Sequence, residues 1–458
     1  MYKIHYVWNL CRKKFHKMLK INSLRAFFRS FLGARFSFLG IGTLAGGVFA
    51  LLLVIGLTGC QNGSKDEKGG AAGVGRLFNI LAIRGETVVD IRSMVGRDTL
   101  VRRFVLRDSV KIASGKSLPK ELAGATVLRV PLQRVVALSS SQVGYMLRLG
   151  LEDRIVAVGE GRYVADSVLY AKFAAAKLDE VGNGSSLAIE KLVALKPDLV
   201  MTFATGGGED DYQRLEMLGL PVMLTSEWQD ENPIAKAEWI KLYGILFDAG
   251  DGNIFARADS IYRHEKLVYD SLASLALPKD GGVREIAGAL NRQDSRSSFP
   301  DSLSHSSCPR VLVGMSYGGV WYAPGGKSYT ARLIADAGGC YLWANDTTRE
   351  MKLSMEEILA LADSADVWLN PGMFTTLDEV IAADPRVKRI KAFKNCRVFQ
   401  NDGRRGPGGG NDFYERAVAR PAELLQNLSQ VLHPDLSGDI APILDDSVSK
   451  WYRNICSF

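Results

Sequence analysis

Beginning at Pro131, short β-branched runs alternate with stretches in which apolar residues recur every three or four positions. The first kind of run suits a buried strand and the second a one-sided helix, so the alternation predicts an α/β architecture. Strands are expected at 134–138, 155–159, 198–203 and 221–225, with helices at 142–149, 189–195 and 212–218 between them. Pro197 closes the second helix, since proline cannot continue a helical ladder. A second series has strands at 310–315, 366–370 and 396–400 and helices at 328–337, 354–365 and 421–432. Ser354-Met-Glu-Glu357 and Thr376-Leu-Asp-Glu379 read as capping boxes that open helices.

The two series repeat each other. Residues 190–200 (Glu-Lys-Leu-Val-Ala-Leu-Lys-Pro-Asp-Leu-Val) match residues 356–367 (Glu-Glu-Ile-Leu-Ala-Leu-Ala-Asp-Ser-Ala-Asp-Val), with a small insertion in the second copy. A duplicated unit predicts two similar three-layer αβα lobes with a cleft between them, ligands meeting the loops at the carboxyl ends of parallel strands. Between the copies, Ile254, Ala258, Ile261, Val268, Leu272 and Leu275 follow helical spacing, interrupted by Glu265. They predict a rigid linking helix of roughly 35 Å. Ahead of the repeat, β-rich residues 78–112 turn at Gly96-Arg-Asp98 and predict an added N-terminal β-hairpin. Residues 278–308 lack periodicity and read as a disordered insertion. The expected organisation is a leader and signal peptide (1–60), a flexible tether (61–77), a β-rich extension (78–130), a first lobe (131–250), the linking helix (251–277), the insertion (278–308), and a second lobe with its tail (309–458).

The net charge of +7 is misleading about partners. Nine Lys or Arg and no acid fall within residues 1–40; taking those nine from the 57 basic residues leaves 48 against 50 acidic ones. The body therefore offers no broad cationic face, which excludes nucleic acid as its partner. After the basic leader comes an apolar run at 48–57 that ends in Leu57-Thr58-Gly59-Cys60, the layout of a secretory signal. That ending resembles the bacterial lipobox, which implies acylation of Cys60 and a lipid-anchored body facing the periplasm. The leader is long for a signal, and a start at Met18 would shorten it. Cys308, Cys340, Cys396 and Cys456 are too widely spaced for a zinc pattern, and one or two disulfides of open pairing are expected. His264, His305 and His433 are scattered, so no metal site or cofactor is expected.

Val135-Val-Ala-Leu-Ser-Ser140, the strand at 155–159, Leu192-Val-Ala-Leu-Lys-Pro-Asp-Leu-Val200 and the long connector resemble the helix-linked (class III) substrate-binding lipoproteins of iron-siderophore, haem and vitamin B12 ABC importers. The likeness covers residues 131–277 and 309–435. It implies a monomeric binding protein, not an enzyme, that delivers a chelated metal or corrinoid to an ABC permease with its ATPase. It also implies an acidic docking residue on each lobe: Glu209 on the first, and Asp378 or Glu379 on the second. An acidic helix start is the ordinary alternative for each.

Ligand contacts are expected in loops after the strands. First-lobe candidates are Ser139, Ser140, Glu160, Arg162, Tyr163, Thr205 and Trp228; second-lobe candidates are Tyr317, Trp321, Tyr322, Met373, Phe374, Arg404 and Arg405. Aromatic rings cover chelate or macrocycle faces, and arginine forks grip carboxylates or catecholates. Arg404 and Arg405 favour an iron-siderophore, whereas Trp228, Trp321 and Phe374 suit cobalamin or haem. Each ring, taken singly, is better explained by core packing; it is their clustering at expected loop positions that points to a ligand. Gly314-Met-Ser-Tyr-Gly318 fits a nucleophile elbow and raises a serine hydrolase using Ser316, but the following Gly319-Val-Trp-Tyr322 is not helical. Gly406-Pro-Gly-Gly-Gly410 reads as a turn at the mouth of the cleft.

Overall fold

A computed structural model describes residues 77–208, 210–276, 308–436 and 450–456. The leader, Cys60, Glu209, His305 and nearly all of the tether and of 278–308 lie outside the described residues. Among the described residues, no helix is long and apolar enough to cross a membrane.

The expected hairpin is the centre of a larger sheet. Strands β1 (Phe78–Ile83), β2 (Glu86–Val95) and β3 (Asp98–Arg107) pair antiparallel, and β4 (Thr126–Arg129) joins β3 in parallel. Alternation along β2 sends Val88 to one face, over Val105 and Leu122, and Val89 and Ile91 to the other, into the main core.

The first parallel sheet contains β5 (Val135–Ala137), β6 (Ile155–Val158), β7 (Asp179–Glu180), β8 (Leu199–Thr202) and β9 (Val222–Leu224) in the order β7-β6-β5-β8-β9. The chain leaves β5 to one side and returns on the other at β8, so a crevice opens beyond the carboxyl ends of these two strands. The second half has β10 (Arg310–Val313), β11 (Met315–Tyr317), β12 (Val320–Pro324), β13 (Cys340–Tyr341), β14 (Glu350–Ser354), β15 (Val367–Leu369), β16 (Val398–Gln400) and β17 (Arg453–Asn454). Its main sheet runs β13-β10-β15-β16-β17 with the same reversal, between β10 and β15, and only β17 is antiparallel. Strands β11, β12 and β14 form a separate antiparallel sheet that the sequence pattern did not reveal.

The internal repeat extends to individual hydrogen bonds. The Asp198 carboxylate accepts the Arg134 N–H at 2.9 Å while the Asp198 N–H donates to the Arg134 carbonyl at 2.8 Å. Asp366 and Arg310 do the same at 2.9 Å in both directions. In each copy an aspartate opening the later strand thus sets its register against the central one.

The helix Asn253–Ala276 contributes Ala258 to the core of the first sheet and Tyr269 and Leu272 to that of the second. Glu265, which breaks its apolar stripe, is buried against Arg148 at 2.7 Å. A disulfide joins Cys308 to Cys340, with the Cα atoms 5.7 Å apart, beside β10 and β13.

Candidate functional site

In the first half, Ser139 sits at the carboxyl end of β5 and opens the helix Ser140–Arg148. Its hydroxyl is 2.8 Å from that of Ser141, which donates to the buried carboxylate of Glu227 at 2.5 Å. The second Glu227 oxygen, Oε2, has no hydrogen-bond partner among the described residues. Trp228, next in sequence, is 46% exposed, a large ring left open beside a buried acid. After β6, Glu160 and Arg162 form a 3.6 Å ion pair, and the Arg162 guanidinium lies 4.4 Å from the centre of the Tyr163 ring. Thr205, after β8, is fixed by Asp210, whose carboxylate accepts its N–H at 3.0 Å.

The N-terminal sheet reaches these same loops. The Gly96 N–H at the hairpin tip donates to the Thr205 carbonyl at 3.2 Å. The Gln229 side chain accepts from the Met94 N–H at 2.9 Å and donates to the Met94 carbonyl at 2.7 Å, replacing a missing strand partner. A Cβ on Gly206 would lie 2.3 Å from the Gly96 nitrogen, so the tip approaches as closely as glycine permits.

In the second half, the rings of Tyr317 and Phe374 stack at 5.8 Å and 19°, with Tyr322 6.4 Å from Tyr317. The Met373 N–H donates to the Tyr317 hydroxyl at 2.7 Å, and Gln400 donates to the Gly372 and Phe374 carbonyls at 2.9 and 2.7 Å. These bonds hold an aromatic shelf beyond the carboxyl ends of β15 and β16. Beside it, buried Asp402 accepts from Arg405 at 2.9 Å and from Arg453 at 2.8 Å, and Arg453 also reaches the Thr375 carbonyl at 2.9 Å. Two guanidinium groups share one carboxylate there.

The halves meet through the glycine-rich loop. Added Cβ atoms would lie 2.4 Å from Ala165 Cα at Gly406, 2.3 Å from the Arg162 carbonyl at Gly408 and 2.1 Å from the Tyr163 carbonyl at Gly410. The loop is therefore a close-packed contact rather than merely a turn. Lys236 places its amine 4.2 Å from the centre of the Tyr329 ring, and Arg349 pairs with Glu231 at 2.9 Å. A cavity of 180 Å³ is lined by Arg148 and Arg416 among others, and one of 210 Å³ by Phe78, Trp239, Gln229, Glu231 and Arg349; none of the expected ligand contacts lines either.

Several expectations need correction. Trp321 is fully buried, tilted against Trp368 with ring centres 5.4 Å apart and its indole N–H given to the Val313 carbonyl, so it is core and not a platform. Its place on β12, with inward alternation, explains this. Arg404 is turned inward, paired with Asp412 at 2.8 Å and lying 4.1 Å from the centre of the Trp451 ring, so it is not an open anion grip. Ser316 is buried on β11 opposite Trp321 in an antiparallel hairpin, not on a strand-to-helix elbow, and His433 is occupied at the Gly338 carbonyl. Glu379 is consumed as a helix cap: it accepts from the Thr375 and Thr376 N–H groups, which hold its carboxyl below the usual range. Sequence reasoning missed Glu227 and Arg453. Arg453 follows a region without pattern, so no local signal marked it; Glu227 adjoins Trp228 and could have been found with it.

A family model described as periplasmic binding protein matches residues 135–250 and 302–404. An uncharacterized lipoprotein of Methanocaldococcus jannaschii is 21% identical over 350 residues, 74% of each chain. The vitamin B12-binding protein of Vibrio campbellii is 27% identical over 134 residues, 29% of this chain; the match spans only 46% of that protein. Among solved structures, a possible iron-binding (periplasmic solute-binding) protein from Staphylococcus epidermidis superposes with a TM-score of 0.47 at 18% identity, over 66% of this chain and 99% of that one. The family model thus reaches both halves of the repeat and covers just under half of the chain, which makes each half similar to the periplasmic binding proteins.

Proposed function

We propose that this chain is an exported lipoprotein, anchored through Cys60 and facing the periplasm, that captures an anionic iron chelate of siderophore type and hands it to the permease of an ABC importer. One observation carries the choice of ligand: Arg405 and Arg453 share the single carboxylate of Asp402 beside the Tyr317–Phe374 shelf. A positive charge in excess next to a flat apolar surface suits a chelate with anionic oxygen donors and a broad face. The two half-exposed guanidiniums can turn one edge each toward catecholate or carboxylate oxygens while keeping Asp402 as their common anchor. Iron arrives already chelated, so the protein need supply no metal ligand.

Cobalamin or haem is the second reading. The open indole of Trp228 favours it, as does the relative named a vitamin B12-binding protein. For docking, Asp378 is the better second-half candidate, because it is exposed whereas Glu379 is occupied at its own helix; Glu209 remains the first-half candidate. Paired acids on the two halves would orient the protein on a cationic permease surface. Native mass spectrometry of the protein after incubation with ferric catecholate, ferric hydroxamate, haem and cobalamin tests the reading. A one-to-one ferric complex supports it, exclusive binding of cobalamin or haem selects the second reading, and no complex at all removes both.

A further inference from the structure

Cys396 and Cys456 stand outside the Cys308–Cys340 disulfide. They lie where the C-terminal segment joins the edge of the second sheet. There β17 pairs with β16, Phe399 opposite Asn454 and Gln400 opposite Arg453. The contact continues past the ladder, since the Ile455 N–H donates to the Val398 carbonyl at 3.0 Å. The Asn454 amide then bridges both cysteines: its Nδ2 donates to the Cys396 carbonyl at 2.9 Å and its Oδ1 accepts the Cys456 N–H at 2.9 Å. Burial raises the pKa of the Cys456 thiol, and the neighbouring Cys396 thiol adds to the rise. Cys396 is exposed and open to exchange partners, whereas Cys456 is half-buried behind it.

We propose that Cys396 and Cys456 form a second disulfide, which straps residues 450–456 onto β16 and thereby fixes Arg453 beside Asp402. The ladder of β17 is only two residues long, and so short an edge strand opens readily without a covalent tie. The strap also carries buried Trp451, the ring beneath Arg404, so its release would loosen both arginine positions. The oxidant is a protein disulfide of an extracytoplasmic thiol–disulfide exchange catalyst. The Cys396 thiolate attacks that disulfide and expels one catalyst thiolate, leaving a mixed disulfide. The Cys456 sulfur, its proton lost to solvent, then attacks the Cys396 sulfur and expels the second thiolate. One S–S bond forms, two thiol protons leave, and the two electrons reside on the reduced catalyst.

The proposal rests on the extracytoplasmic reading for its oxidant, but its test in glutathione buffer does not, so the two fail separately. Full-length protein is reduced, re-oxidised with oxidised glutathione and a disulfide isomerase, alkylated under denaturing conditions and digested. The expected product is a linked peptide pair containing Cys396 and Cys456, two hydrogen atoms lighter than the separate peptides. Alkyl label on both residues, or a link from either one to any other cysteine, overturns the pairing. A second readout is amide hydrogen exchange at Arg453 and Ile455, expected to quicken about tenfold or more in both Cys396→Ser and Cys456→Ser. Unchanged exchange in both variants overturns the strapping role.

Discussion

Glu415 accepts the backbone N–H of Ala165 at 2.9 Å, and that of Asp166 at the same distance, so one carboxylate ties the two halves of the repeat. Burial pushes its carboxyl up to about 7, with Asp412 adding to the rise and the two N–H donors and Arg416 opposing it. A raised carboxyl pKa means the folded protein binds the proton more tightly than the unfolded chain does. The associated stability is complete below the unfolded value near 4.5 and is lost as pH climbs through about 7. Urea unfolding should therefore show the protein up to about 3 kcal/mol more stable at the acidic end of this window. Glu415→Gln should remove only its own share, about half of the combined slope. The remainder should persist, because burial likewise raises Asp230 to about 6. An unchanged slope in the variant would show that Glu415 does not titrate as described.

Gly144 faces the same tie. A Cβ there would lie 1.7 Å from the Glu415 carbonyl oxygen, a backbone atom that cannot swing aside. Gly144→Ala should cost about 1–3 kcal/mol by overpacking, read as a lowered urea midpoint. A neutral result would mean that the helix Ser140–Arg148 and the segment Asp412–Glu415 stand further apart.

The Gln229 side chain completes the edge of the hairpin at Met94. Gln229→Ala leaves the Met94 N–H and carbonyl without their partner and should cost about 1–3 kcal/mol. Hydrogen exchange should quicken at Met94 and at Thr205, whose loop the same tip holds, but not at β16. Protection unchanged at both sites would separate the N-terminal sheet from the ligand-facing loops.

Much of the fold was legible because periodicity reports burial. The strands at β5, β8, β10 and β15 carry continuous apolar runs, the helix Asn253–Ala276 keeps its apolar spacing on either side of Glu265, and the repeat of Asp198 and Asp366 marks equivalent strand entries. Strands β14 and β17 were illegible for a physical reason. Edge strands are short, partly exposed and need no continuous apolar run, so their sequences resemble loop. The site was read less well than the fold. Whether Trp321 faces ligand or core depends on which side of an antiparallel hairpin it occupies, and composition does not encode that. Arg404 and Arg405 are adjacent yet diverge, one to Asp412 and one to Asp402, because each followed its own buried acid.

Tyr317 organises the aromatic shelf through both its ring and its hydroxyl. Tyr317→Ala should weaken chelate binding about tenfold or more by removing the stacked face and freeing the Met373 loop. Tyr317→Phe keeps the ring and should lose less. Fluorescence titration of the three proteins separates these contributions; equal affinities would remove Tyr317 from the site.

The most direct test of the central claim is calorimetric titration of the wild type and of Arg405→Ala combined with Arg453→Ala, using one anionic ferric chelate. Saturable one-to-one binding by the wild type, weakened about a hundredfold in the double variant, is the predicted result. Equal affinity in the two proteins, or no heat of binding in the wild type, would contradict it.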